Sequence, residues 1–177
     1  MLVYKDVVSG DEMCTDAFAQ SPVLDTEGNP VPGLFEIESR TITKGGDNID
    51  IGCGGEFGGA EEEVNDTVEK VNNVIESFRL TEVPFGNKNE FKDWIKEYVR
   101  KVRSAHKEKG TPQEKIKEFM AQAPEMVKFL MGQFKEWQFY TGESMDSEAG
   151  MVFAYYKEEA PTPTFVYINF GLVEEKF

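Results

Sequence analysis

The apolar residues between positions 87 and 132 follow a pattern that predicts two long amphipathic helices joined by a very short turn. Asn87, with Glu90 three residues later, forms a capping box at the start of the first helix, and Gly110 ends it. Thr111, Pro112 and Glu114 suit the N-cap, N1 and N3 positions of the second helix. A one-residue break predicts an antiparallel helical hairpin over residues 87–132. The apolar faces that define it are Phe91, Trp94, Ile95, Tyr98, Val99, Val102 and Ala105, then Ile116, Phe119, Met120, Ala123, Val127, Leu130 and Met131.

The sequence on both sides of the hairpin predicts β-strands. Alternating or β-branched runs lie at 2–8, 13–19 and 34–42 before it, and at 137–141, 151–157 and 164–170 after it, where they indicate a β-meander. Residues 64–75 fit helix or strand, and we favour a strand for 74–83. Pro124 predicts a kink in the second helix, because it removes the amide that would pair with the carbonyl of Met120. The chain is therefore expected to be one α+β domain, residues 1–177, with a β body at 1–44, 70–86 and 136–177.

Residues 45–69 differ in composition from the rest of the chain. Seven glycines fall between positions 45 and 59, and positions 47–69 hold eight acids with no Lys or Arg. Glycine raises the entropic cost of ordering, and like charges repel one another. We expect a long mobile acidic loop.

The charge is divided unevenly along the chain. The net charge of −14 disfavours nucleic acid as the main partner. Residues 88–135 nevertheless hold 12 Lys and Arg against 7 Asp and Glu, so a basic hairpin is carried by an acidic body. Five cations share the helix face opposite Trp94 and Tyr98 and are candidates for binding acidic tails such as those of microtubules. They are Lys92, Lys96, Arg100, Arg103 and Lys107. The alternative is an ordinary solvated helix face, and composition alone favours it.

The inventory of reactive residues gives little support to catalysis. His106 is the only histidine, there is no HExxH motif, and we interpret His106 as a surface residue. The glycine-rich stretch GCGGEFGG lacks the GK[ST] of a phosphate-binding loop. Cys14 and Cys53 form no CxxC pair, so neither a cysteine zinc site nor a disulfide framework is indicated. We expect no enzyme and no tightly bound cofactor.

Acidic residues leave a weak calcium site open, although a solvated acidic surface is the favoured interpretation. The candidate ligands are Asp11, Glu12, Glu61, Glu62 and Glu63.

The N-terminus shows no signal-peptide pattern, and no apolar run has the length that a bilayer requires. We therefore expect a cytoplasmic protein with no membrane partner, and secretion without a signal peptide stays open.

The stretch FYTGESMDSEAGMVFAYY, residues 139–156, carries a resemblance to a known family. Phe134, the run Phe139 to Glu143, a polar insert, Met151-Val152 and Tyr156 resemble the C-terminal signature of the translationally controlled tumour protein family, also called histamine-releasing factor. The N-terminal MLVYKDVVSGDEM is similar to that family as well. Ile51-Gly52 and Ala60-Glu61 resemble its other signature, with Cys53-Gly54 in place of Gly-Asn. The resemblance covers essentially the whole chain.

The resemblance implies a β-tent of mixed or antiparallel strands, a projecting antiparallel helical hairpin and a long mobile acidic loop. It implies a non-enzymatic protein that binds calcium weakly, associates with tubulin and regulates growth and survival. Relatives of the tent fold hold zinc through cysteines that this chain lacks, so no zinc is inferred. The protein is expected to be mostly a monomer, with a dimer through Cys53 left open.

The resemblance also implies an alternative activity, nucleotide exchange on a Rheb-type small GTPase. In that alternative Glu12, with Asp11, contacts the GTPase, whereas a purely structural Glu12 would close a turn beside the first strand.

We interpret the loop at Gly142 and Glu143 as a strand connection. Gly142 would supply a backbone conformation that other residues resist, and Glu143 a hydrogen bond across the tent wall.

Overall fold

The computed structural model describes residues 1–44 and 69–176. These residues form eleven strands, three α-helices and two 3-10 turns. The strands are β1 Leu2–Asp6, β2 Glu12–Thr15, β3 Ser21–Leu24, β4 Pro30–Glu38, β5 Thr41–Lys44, β6 Glu69–Asn72, β7 Thr81–Val83, β8 Gln138–Thr141, β9 Met151–Tyr155, β10 Thr164–Ile168 and β11 Leu172–Lys176. The helices are α1 Asn73–Phe78, α2 Lys88–Lys109 and α3 Gln113–Gly132, and the 3-10 turns are Phe134–Glu136 and Asn169–Gly171.

The described strands pair into three antiparallel sheets. The largest has the order β3-β4-β10-β9-β8-β7, a smaller one has the order β11-β1-β2, and β5 pairs with β6 alone. Consecutive strands β8, β9 and β10 are neighbours, which confirms the predicted C-terminal meander. The α+β class is confirmed with them.

The large sheet is buried on both faces, as β10 shows most clearly. Phe165 and Tyr167 belong to a core cluster shared with Met13 and Cys14 of the small sheet. Val166 and Ile168, which alternate with them, belong to a second cluster shared with the two long helices. The hairpin therefore covers one face of the large sheet, while the small sheet and α1 cover the other.

The helical hairpin begins and ends close to the predicted residues. The Asn87 side chain accepts a hydrogen bond from the Glu90 amide at 3.0 Å, and Gly110 adopts the left-handed conformation with φ 86°. Thr111 is not the N-cap of α3, contrary to the prediction. Pro112 holds that position without a side-chain cap, because the Thr111 hydroxyl bonds to His106 instead. The helix continues through Pro124 to Gly132.

The inner faces of both long helices are packed against the large sheet, and their outer faces are exposed. Phe91, Ile95 and Val102 on α2, with Met126 and Leu130 on α3, are fully buried in the cluster that includes the sheet. The hairpin thus lies against the β body through one face and presents the other to solvent. A full apolar side chain buried in this way contributes about 1.5–3 kcal/mol.

The strand that we favoured for residues 74–83 is wrong over its first half. Residues 73–78 form α1, because the Asn72 side chain accepts hydrogen bonds from the amides of Val74 and Ile75 and so starts a helix. Arg79, in the left-handed conformation with φ 51°, ends it, and only Thr81–Val83 pairs as a strand. The predicted mobile acidic loop lies almost entirely outside the described residues.

Candidate functional site

The first charged surface consists of Asp11, Glu12 and the loop at residues 142–150, and we call it the Asp11–Glu12 surface. Asp11 Oδ2 accepts hydrogen bonds from the Ser144 hydroxyl at 2.6 Å and from the Ser144 amide at 3.2 Å. A Cβ at Gly142 would lie 2.6 Å from the same oxygen. Gly142 is therefore required by close approach to Asp11, and our expectation of an unusual backbone conformation is wrong because its φ is not positive.

Glu12 and Glu143 differ in whether their carboxylates bond to other residues. Glu12 is the first residue of β2, opposite Lys5 where the pairing register shifts, and its exposed side chain bonds to no residue in the described part of the chain. Glu143 accepts a hydrogen bond from Arg79 at 2.8 Å, and because Arg79 precedes β7 and Glu143 follows β8, this bond joins the ends of two neighbouring strands and does not reach across the tent wall. Glu12 is thus a free carboxylate, whereas Glu143 is engaged.

A buried carboxylate that the sequence reasoning missed holds this surface in place. Asp6 is buried and accepts hydrogen bonds from the Tyr98 hydroxyl at 2.8 Å, the Gly150 amide at 3.0 Å, and the Ser9 amide and hydroxyl. The Ser9 hydroxyl oxygen in turn accepts from the Asp11 amide at 3.2 Å. Burial, followed by the adjacent Asp6 charge, raises the pKa of Tyr98 well above its ordinary value. Asp6 therefore connects β1, helix α2 and the 142–150 loop.

The second charged surface is the line of five cations on α2, which we call the basic stripe. Its members are all exposed, and they are Lys92, Lys96, Arg100, Arg103 and Lys107. Arg100 contacts Glu97 at 2.5 Å, and the other four make no ion pair with any described residue. The structure therefore brings together on one solvent-facing line the cations that the sequence predicted, while Lys101, outside the line, reaches Glu148.

His106 is buried, so its interpretation as a surface residue is wrong. Its Nε2 lies 2.7 Å from the Phe170 carbonyl oxygen, which can only accept, and Nδ1 lies 2.8 Å from the Thr111 hydroxyl. Nε2 thus carries the proton, and the Thr111 hydroxyl donates to Nδ1. Burial, together with the charge of Lys109, lowers the pKa of His106. The imidazole fixes the hairpin end to the C-terminal part of the chain.

The described residues offer no ready metal or thiol site. Within residues 1–44 and 69–176, no three His, Cys, Asp or Glu side chains converge to hold a metal ion. Cys14 is buried, and desolvation raises the pKa of its thiol to about 11. The other predicted calcium candidates, Glu61, Glu62 and Glu63, and the predicted dimer cysteine Cys53 lie outside the described residues. None of the helices seen in those same ranges has the length and apolar character needed to cross a membrane.

Comparison with known proteins relates this arrangement to one family. The family described as "Translationally controlled tumour protein" matches residues 1–173. A "Translationally-controlled tumor protein homolog" of Saccharomyces cerevisiae is 38% identical over 176 residues, which is 99% of each chain. One of Theileria annulata is 36% identical over the full length of both. The solved "Translationally Controlled Tumor-associated Protein" of Schizosaccharomyces pombe has a TM-score of 0.73 and 36% identity, with complete coverage of both chains. With its antiparallel sheets and packed helical hairpin, this chain belongs to the translationally controlled tumour protein family.

Proposed function

We propose that this protein acts by docking, without forming or breaking bonds, and that the basic stripe of α2 binds acidic protein segments such as the tails of tubulin. The observation that carries the proposal is the line of exposed cations, four of which have no ionic partner in the described structure. Family membership supports a non-enzymatic regulatory role, and we propose that this role serves growth and survival, as the sequence resemblance implies.

The packing of α2 makes the stripe suitable for binding. The opposite face of the helix is held by Phe91, Ile95 and Val102, all fully buried, so little backbone freedom is lost when a partner docks. Exposed charges attract an oppositely charged segment over about 10 Å at 0.1 M salt, and added salt screens them. Binding through the stripe should therefore weaken steeply as salt rises.

A charge reversal on the stripe tests the proposal. The triple variant Lys96→Glu, Arg100→Glu, Arg103→Glu should lose at least about tenfold in microtubule co-sedimentation at low salt, since each rim charge contributes to attraction. The matched control reverses three exposed lysines of α3, and they are Lys115, Lys117 and Lys128. The control has the same total charge, so it separates the stripe from net charge.

Circular dichroism should show that both variants keep the helical content of the parent. If the stripe variant binds as well as the parent, or if the α3 control is equally weakened, the stripe is not the contact. If the stripe variant loses helical content, the single variant Arg103→Glu is tested in its place. Arg103 makes no ion pair with any described residue, so its reversal breaks no contact within the protein.

A second candidate function, nucleotide exchange on a Rheb-type small GTPase, is favoured by the state of Glu12. Its carboxylate is exposed and bonds to no described residue, and Glu12 begins β2 directly after a turn that Asp6, Ser9 and Ser144 hold in place. A carboxylate brought near a bound nucleotide repels phosphate and competes for Mg²⁺, which weakens nucleotide binding. Asp11 has a different role in this proposal. Its carboxylate already accepts hydrogen bonds from Ser144, so Asp11 holds the turn before Glu12 in place.

The exchange proposal is tested by release of a fluorescent nucleotide from the purified GTPase. Glu12→Val should slow the accelerated release, whereas Glu174→Val, at an exposed glutamate on β11 of the same small sheet, should leave it unchanged. Absence of any acceleration by the parent protein in large excess would end this candidate.

A further inference from the structure

We propose that a groove lined by aromatic residues and rimmed by acids binds a basic peptide segment that carries an apolar anchor. The groove has a volume of about 610 Å³ and lies where the turn after β3 meets the end of α3 and the end of β9. Its apolar lining, which we call the aromatic groove, is Leu24, Phe129, Trp137, Tyr155 and Tyr156. It shares no lining residue with the basic stripe or the Asp11–Glu12 surface.

The exposed apolar residues point to this groove. Across the described ranges four large hydrophobic side chains are strongly exposed, and two of them, Leu24 at 51% and Tyr156 at 55%, line the same groove. Single exposed apolar residues are common on protein surfaces, but apolar residues gathered in a concave site with a polar rim are characteristic of binding sites. The volume lies within the range of about 300–1,000 Å³ that is typical of ligand-binding clefts.

The walls of the aromatic groove are held by contacts behind it. The Trp137 indole nitrogen donates to the Leu130 carbonyl at 2.9 Å, and the Tyr155 hydroxyl donates to Glu36 at 2.7 Å. The rings of Trp137 and Tyr155 meet at 89° with centroids 5.5 Å apart, and Phe129 lies edge-on to Trp137. A partner therefore meets fixed ring surfaces, which lowers the ordering cost of binding.

The charge around the groove defines the partner. Asp25, Glu136 and Glu158 line it, and Lys157 is the only cation among the lining residues that the structure describes. Lys157 is already paired with the buried carboxylate of Glu36 at 2.6 Å, so its charge is neutralised. The remaining field is negative, and a cationic side chain gains both from the acids and from the exposed ring of Tyr156 through a cation–π contact.

The acidic rim and apolar lining of the groove together favour a partner segment that carries both a positive charge and an apolar side chain. A leucine side chain in the groove would bury apolar surface against Leu24 and Phe129, and an arginine beside it would meet the carboxylate of Glu136 or Glu158. A free cation would gain only the second of these contacts. We therefore commit to a protein segment in which arginine or lysine alternates with an apolar residue.

The test uses a short capped and fluorescein-labelled peptide, Gly-Leu-Arg-Leu-Arg-Gly, whose binding is followed by fluorescence anisotropy. Tyr156→Ser and Leu24→Ser should each weaken binding about tenfold, the size typical of a well-placed anchor. The matched control is Met145→Ser, at an exposed hydrophobic residue that does not line the groove, and it should leave binding unchanged.

Two double variants test whether the acids at the rim of the groove contribute to binding. Glu136→Gln with Glu158→Gln should weaken binding at least about threefold at low salt, whereas Glu125→Gln with Glu174→Gln, the same charge change elsewhere, should not. The proposal is overturned if the parent fails to bind the peptide at millimolar concentration, or if the two pairs weaken it equally. It is also overturned if peptides with glutamate for arginine, or glycine for leucine, bind as tightly.

Discussion

Replacing Asp6 with alanine should destabilise the protein by a large fraction of its total stability. The substitution removes the acceptor of the buried Gly150 amide and the charged acceptor of the buried Tyr98 hydroxyl, which keeps only a long contact to the Gly171 carbonyl at 3.5 Å. Each buried donor left without a partner costs about 1–3 kcal/mol, so the two together cost about 2–6 kcal/mol. The loss of the two Ser9 bonds adds to this at a partly buried position. Domains are typically stable by about 5–15 kcal/mol, so Asp6→Ala approaches the limit of folding.

A double-mutant cycle with Tyr98→Phe isolates the central bond. Phenylalanine keeps the ring that stacks on Trp94 at 5.1 Å and removes only the hydroxyl, which should cost about 1.5–3 kcal/mol as a bond to a charged group. In the Asp6→Ala background the same change should cost much less, because the hydroxyl there has already lost its bond to a charged acceptor and keeps only the long contact to the Gly171 carbonyl at 3.5 Å. The coupling should therefore be about 1–3 kcal/mol.

Urea unfolding followed by tryptophan fluorescence measures all four proteins of the cycle. The slope of unfolding free energy against urea should stay constant, so that midpoints report stability alone. The reasoning is refuted if Asp6→Ala lies within about 1 kcal/mol of the parent, or if the effects of the two substitutions simply add.

Three further predictions concern other contacts. Gly142→Ala places a Cβ 2.6 Å from Asp11 Oδ2 and should destabilise by about 1–3 kcal/mol in the same urea assay, with a neutral result contradicting the close approach. Because burial lowers the pKa of His106, the unfolded chain binds its proton more readily. The contribution of His106 to the free energy of unfolding is therefore fully present above the ordinary histidine pKa of 6.5. It is lost as the pH falls through the lower pKa of the folded state. Unfolding curves of His106→Gln at neutral and mildly acid pH should show a smaller loss than the parent, and an equal loss would assign the pH dependence elsewhere. Calcium should shift NMR amide signals near the acidic residues only at about millimolar concentration, because no rigid cage of ligands is seen among the described residues, and micromolar saturation would exclude this view.

The sequence predicted the helical hairpin well because both ends of its first helix are encoded locally. Asn87 and Gly110 act on their own neighbours through a side-chain cap and a left-handed turn, so both signals survive without tertiary context. The C-terminal meander was equally accessible, since β10 alternates between two core clusters and each face is apolar. Because both faces of β10 are buried, the signal for this strand is a short β-branched and aromatic run bounded by turn residues, and not an alternation of apolar and polar residues.

The features that the sequence did not predict depend on residues distant along the chain. His106 resembles a surface residue on a lysine-rich helix, and only the carbonyl of Phe170, 64 positions away, makes it a buried structural group. Asp6 lies 92 positions from Tyr98. Helix α1 is the exception, because Asn72 caps it locally, and the spacing of Val74 and Phe78 suits a helix as well as a strand.

The hydrogen bonds of Asp6 also determine how functional defects should be interpreted. Asp6 connects helix α2, which carries the basic stripe, to Ser9 and so to Asp11, which positions the Asp11–Glu12 surface. A variant that removes Asp6 therefore perturbs both surfaces, whereas charge reversal on the stripe or Glu12→Val changes one. The aromatic groove is supported separately, through the Leu130 carbonyl and Glu36. A loss confined to one partner, with an unchanged unfolding midpoint, thus indicates docking at that surface, and joint loss of the first two indicates a weakened Asp6 anchor.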